Sequence, residues 1–190
     1  MMRKNIVASV LARLRNIAKA RNVIFGEILL RYAVERVLKR IVPVQFDVGI
    51  GDAITPSPKK ADFPVLLDGS IPRIKVYPKE TVIAEKFETI VKRGLANSRM
   101  KDYYDLWMLS HDVSVDADTA SCAIERTFNR RKTDMPERVP EGLLDEFARN
   151  ESKIVQWKAF VRKNRISLPN ADFSSVVRDV REFLMGLVHK

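Results

Sequence analysis

Helical spacing governs the apolar residues of this chain from end to end and lapses only between about residues 44 and 77, which limits the fold to a small sheet set among helices. Val7, Val10, Leu11, Leu14, Ile17 and Ala18 form one stripe over an expected helix at 3–20. Asn22 is read as the N-cap of a second helix, running to about Ile41, with Phe25, Ile28, Leu29, Tyr32 and Val37 inward. The period then changes. Val44, Phe46, Val48 and Ile50 share one face, and Gln45, Asp47 and Gly49 share the other, which is strand alternation. Pro56, Pro58, Lys59 and Lys60 mark a loop, and Phe63–Leu67 and Arg73–Tyr77 read as two more strands joined through the Asp68-Gly69 turn pair.

Pro78 opens the next helix, with Val82, Ile83, Phe87, Ile90 and Val91 inward and Gly94 as its cap. After an Asn97-Ser98 turn, a helix starts near Arg99–Lys101. Further helices are expected at Asp118–Arg131, Glu151–Lys163 and Phe173–Val188, with Pro136–Gly142 as a linker. The class is α+β, divided as 1–110 and a helical carboxy-terminal region at 111–190.

Of the net charge of +10, residues 1–40 supply +8, from ten Lys/Arg against Glu27 and Glu35. A basic face of this kind attracts nucleic acid, or is simply a solvated helix surface. The lone Cys122 excludes an internal disulfide and a multi-cysteine metal cluster and suits the cytoplasm. No run approaches the ~20 apolar residues of a membrane span. Residues 1–26 hold no acid, as in an organellar presequence, but no small-residue cleavage signal stands out.

Four charges fall within the seven positions from Arg99 to Asp105. Lys101 and Asp105 are spaced to pair on one helix face, and Asp102 suits a helix N-terminus. Arg99 and Lys101 oppose the helix dipole there, a conflict that a bound anion would resolve. Lys86 is either a snorkelling lysine beside Glu85 or a cation for a polyphosphate. Asp47 is either solvent-facing or a cleft carboxylate serving as metal ligand or general base. Asp116-Ala117-Asp118 precedes Thr119 and an apolar stripe, so helix capping is the reading there. Tyr103, Tyr104 and Trp107 read as packing groups. His111 and His189 are isolated, and there is no Gly-rich phosphate loop.

Several words of the sequence resemble the AbiEii/AbiGii toxin family of nucleotidyltransferase-like proteins. They are Arg3-Lys4-Asn5-Ile6, Arg31-Tyr32-Ala33-Val34-Glu35-Arg36, Phe46-Asp47-Val48-Gly49-Ile50-Gly51-Asp52, Tyr77-Pro78-Lys79-Glu80-Thr81, Ala84-Glu85-Lys86 and Ala96 to Trp107, the last being the most specific. The resemblance covers most of residues 1–165. It implies a reduced nucleotidyltransferase-like sheet and nucleotide transfer from an NTP to an acceptor such as tRNA, with Mg2+ as cofactor. It also implies a cognate antitoxin in abortive phage infection. Asp47 matches the third metal carboxylate of such sites. The resemblance implies supporting roles for Lys86, Lys101 and Asp102, with phosphate contacts for the lysines and a polar or metal-linked role for Asp102. Asp47, Lys101 and Asp102 are taken as the catalytic set, and Lys86 and Arg99 as the phosphate-binding one. The family's Gly-Ser and Asp-x-Asp block is missing between the second helix and the Asp47 strand, where Lys39-Arg40-Ile41 passes within a few residues into Val44. The chain alone is therefore expected to be impaired or inactive, because nucleotidyl transfer relies on clustered carboxylates. The alternative is a non-enzymatic binder of antitoxin or nucleic acid.

Overall fold

The helical stripes become eight α-helices among the residues that the computed structural model describes, which are 2–38, 53–66, 70–166 and 172–188. The expected Asp47 strand, and Asp47 itself, lie outside the described residues, as does the Asp68-Gly69 turn. The chain divides into two units, residues 1–49 with 60–76, and residues 50–59 with 77–190.

The first unit holds α1 (Met2–Ala20), α2 (Phe25–Leu38) and, but for Lys59, a two-stranded antiparallel sheet of β1 (Lys59–Asp62) and β2 (Arg73–Val76). Its small core is Leu14, Ala18 and Ile28, with Val10, Ile17, Phe25, Tyr32 and Leu66 packed against it. The buried Glu35 carboxylate accepts the Leu66 N–H at 2.8 Å. Asn22 is not an N-cap. It closes α1 in the left-handed region (φ 52°), where asparagine is tolerated better than most residues. Leu29 is not inward but 40% exposed. The first strand lies at 59–62 rather than 63–67, so Lys59 and Lys60 are strand residues and not loop. Pro64 has no N–H for a ladder, and the pairing stops at Phe63, whose N–H donates to the Pro72 carbonyl at 2.9 Å.

The second unit holds α3 (Lys79–Arg93), α4 (Met100–Ser110), α5 (Ala117–Arg131), α6 (Asp145–Arg149), α7 (Glu151–Asn164) and α8 (Phe173–Val188). Pro78 sits at the N-cap of α3, just before the first helical residue, and Gly94 closes that helix at φ 47°. Asp116, rather than Asp118, caps α5, its carboxylate accepting the Thr119 N–H at 2.8 Å. Asn150 caps α7 in the same way, and Asp172 accepts the Ser175 N–H at the start of α8. The Asp-x-Asp therefore begins a helix, as its sequence context implies.

One apolar core joins all of these helices. Ile83, Phe87 and Ile90 of α3 meet Tyr103 and Leu106 of α4, Ile124 and Phe128 of α5, and Val176, Val180 and Leu184 of α8. Each such side chain contributes about 1.5–3 kcal/mol when taken from water. Tyr103 and Phe128 are fully buried, as packing groups should be. The boundary expected at residue 110 falls inside this core, between α4 and α5. The expected linker at 136–142 is also partly structural. It leads into a 3-10 turn at Glu141–Leu143, where Gly142 and Leu143 are buried. A Cβ at Gly142 would come within 2.9 Å of Ile90 Cγ2 and 3.1 Å of the Tyr103 hydroxyl, so only glycine fits without displacement.

Candidate functional site

The charged segment at 99–105 forms the beginning of α4, and α3 packs beside it. Asp102 occupies the first turn of α4, where the helix dipole favours an anion. Its side chain is only 2% exposed, and burial alone would make its ionised form costly. Two cations offset that cost. Lys86 Nζ of α3 stands 2.6 Å from Asp102 Oδ1, and Arg99 Nε stands 2.5 Å from Oδ2. Lys86 also lies 2.8 Å from Asp105 Oδ2, and Lys101 binds that same oxygen at 2.5 Å.

These contacts set the protonation states. Burial pushes the Asp102 carboxyl up, but its bonds to Arg99 and Lys86 outweigh burial and hold it below the usual carboxylate range. Burial pulls the Lys86 ammonium down, and its bonds to Asp102 and Asp105 carry it above its ordinary value. The bond to Asp102 likewise raises Arg99. The conflict between cations and helix dipole is thus met within the chain, by Asp102 and Asp105, and does not by itself call for a bound anion.

The cluster stands on the wall of a cleft of about 510 Å³. Lys86, Lys92, Arg93, Arg99 and Arg131 line it, with Glu85, Glu88 and Asp102 as its carboxylates. All three acids are engaged. Glu88 accepts from Arg131 at 2.8 Å and from the Thr133 hydroxyl at 2.6 Å, and Glu85 accepts from the Tyr77 phenol. Lys92 and Arg93 are exposed and have no ion pair among the described residues. Arg99 is 55% exposed and engages Asp102 through Nε, leaving its Nη groups available. The cleft thus carries more cationic donors than its own carboxylates engage, and the Arg99 guanidinium is a planar fork of the kind that suits phosphate.

Of the residues singled out in the sequence, the fold brings Lys86, Arg99 and Asp102 together. Lys101 is 71% exposed, pairs with Asp105 and does not line the cleft. Asp105 as a second partner of Lys86 was legible in part, since it follows Asp102 by three residues on one helix face. Lys92, Arg93, Glu88 and Arg131 carried no local signal. Nor do the described residues form a Mg2+ site. No group of three metal-ligating side chains occurs among them, and Asp102 and Asp105 already bind the cations of Lys86, Arg99 and Lys101.

The fold and cleft define an α+β protein with a cation-rich cleft at the start of a core helix. The chain belongs to the AbiEii nucleotidyl transferase toxin family of type IV toxin–antitoxin systems, whose pattern matches residues 4–183. No curated protein and no solved structure matches it. Membership in this family implies an antitoxin partner. Among the described residues, no helix is long and apolar enough to cross a membrane.

Proposed function

We propose that the cleft over Lys86, Arg99 and Asp102 takes the polyphosphate of a nucleoside triphosphate, and that this toxin homologue is catalytically impaired on its own. The observation that carries the reading is the buried Asp102 gripped by Lys86 and Arg99 on the wall of a cation-rich cleft. In the family reaction an acceptor hydroxyl attacks the α-phosphate and pyrophosphate leaves. Lys86 and Arg99 would meet the charge on the leaving phosphates. Asp102, ionised and doubly paired, is poorly suited to take a proton, so its part is to hold the two cations in place. Asp47 would be the remaining carboxylate for the family's Mg2+, with tRNA or another nucleic acid as acceptor. The setting is a bacterial, cytoplasmic toxin–antitoxin pair active in phage defence, with the cognate antitoxin as partner.

The test is incubation of the chain with each of the four labelled NTPs, tRNA and Mg2+. The expected result is NTP binding that Lys86→Met abolishes, with no incorporation above background. Robust incorporation by the isolated chain, lost on Asp47→Ala, would overturn the impairment. Equal NTP binding by Lys86→Met would overturn the site. A second reading, a non-enzymatic nucleic-acid binder, draws on the exposed Arg13, Arg15, Lys19, Arg21 and Arg31 of α1, α2 and their connection. It requires RNA affinity that falls steeply as salt rises.

A further inference from the structure

Lys153 of α7 is 8% exposed and has no carboxylate partner among the described residues. Its ammonium donates to the Asn97 carbonyl at 2.8 Å and lies 5.0 Å from the centre of the Phe147 ring. A cation held this way is costly, and a position that served packing alone would be filled better by an apolar residue of similar length. Burial accordingly pulls its pKa down.

The carbonyl that it grips sits at a junction. Asn97 is fully buried. Its Oδ1 accepts the backbone N–H of Arg99 at 3.1 Å, and its Nδ2 donates to the Tyr103 hydroxyl at 3.4 Å. That hydroxyl donates in turn to the Gly142 carbonyl at 2.9 Å. The turn that launches α4 is therefore tied from α7, from the interior of α4 and from the 3-10 turn at Gly142. It ends at Arg99, which reaches Asp102 three residues later.

We infer that Lys153 is a positioning residue, whose hydrogen bond to Asn97 fixes the turn at 97–99 and so the Arg99–Asp102 pair. The inference rests on the reading of that pair as part of a polyphosphate site, and it makes the carboxy-terminal helices part of the site's construction.

The test compares the full chain with Lys153→Met, which keeps the stem and removes the donor, and with Lys158→Met on the exposed side of the same helix. Two readouts are taken beside the melting temperature, the affinity for tripolyphosphate and the NMR signal of the Arg99 Nε–H in its bond to Asp102. The expected result is that folded Lys153→Met binds tripolyphosphate about tenfold more weakly, the scale of a misplaced supporting contact. The Arg99 signal is lost with it, and Lys158→Met changes neither. A folded Lys153→Met that keeps the Arg99 signal overturns the inference. If the unaltered chain fails to bind tripolyphosphate, the polyphosphate reading falls, and Lys153 is still judged by the Arg99 signal. If Lys153→Met does not fold, Lys153→Arg decides, because its guanidinium has the reach to donate to the Asn97 carbonyl. Retention of the Arg99 signal there supports the donor role, and its loss overturns it.

Discussion

Two buried carboxylates stand in one cleft and do different things. Asp102 and Glu88 each have side chains 2% exposed, and each is held by a cation and a second donor. The partners of Glu88 are Arg131 and Thr133, which come from α5 and the residues just after it, so this pair ties α3 to α5. Arg131 is further engaged by Glu85 at 3.8 Å and is 26% exposed. The partners of Asp102 are different. Arg99 is 55% exposed with Nη donors left over, whereas Lys86, like Arg131, is already shared between two carboxylates. A buried ion pair is therefore not a site by itself. What marks the Asp102 end is donor capacity that the fold does not use.

The largest expected effect falls on stability and treats both carboxylates alike. Asp102→Ala leaves Lys86 and Arg99 without their common anion, and Glu88→Ala does the same to Arg131. Each removes two hydrogen bonds to a charged group and should cost about 3 kcal/mol in urea unfolding, the cations left behind being partly exposed, with Lys86 and Arg131 keeping Asp105 and Glu85. A loss below about 1 kcal/mol at Asp102 would mean that water reaches it freely and that the comparison starts from a false likeness.

Cation substitutions should then separate the two ends. Lys86→Met is expected to weaken tripolyphosphate binding by tenfold or more, on the scale of about 1.4 kcal/mol per decade. Arg131→Met is expected to leave that affinity unchanged and to lower stability by as much as Glu88→Ala does, because the buried Glu88 carboxylate loses its cation. Calorimetric titration beside thermal melts distinguishes these outcomes. An equal loss of affinity in both variants would make the whole cleft one anion surface.

The pH dependence follows from the direction of each shift. The Asp102 carboxyl is lowered, so its contribution is in place above the unfolded value near 3.8 and is lost as pH falls through the lower folded value. The Lys86 ammonium is raised, so its contribution is complete below 10.5 and is lost as pH rises through the higher folded value. Stability owed to this pair should stay level between about pH 5 and 9 and fall outside that window. In Lys86→Met the alkaline part of the fall should shrink.

Most helices of the second unit were legible because amphipathic spacing and caps are local. Asp116, Gly94 and the Val176–Leu184 stripe each act within a few residues. The sheet was less so, since Lys59 and Lys60 carry no alternation of apolar residues and Pro64 ends the pairing where the apolar run Phe63–Leu67 suggests a strand. The site was half legible. Arg99, Asp102 and Asp105 share one helix face, and their spacing shows it. Lys86 lies 16 residues from Asp102 and Arg131 lies 43 from Glu88, and no periodicity carries information across such separations. The buried Lys153 was hidden for the same reason, because in sequence it is one more charge at the start of a helix.

The smallest effect tests whether the resemblance placed Lys101 in the right role. Lys86 and Lys101 bind the same oxygen of Asp105, but Lys86 is 17% exposed and Lys101 71%. Exposed i,i+4 pairs contribute about 0.3–0.5 kcal/mol and are screened by salt. Lys101→Ala should therefore lower the melting point only slightly, and less so in high salt. It should leave tripolyphosphate affinity unchanged, because the side chain lies off the cleft and Asp105 still has Lys86. A loss of affinity as large as that of Lys86→Met would show that Lys101 turns into the cleft when an anion arrives. The division between a site end and a structural end would then have to include the outer face of α4.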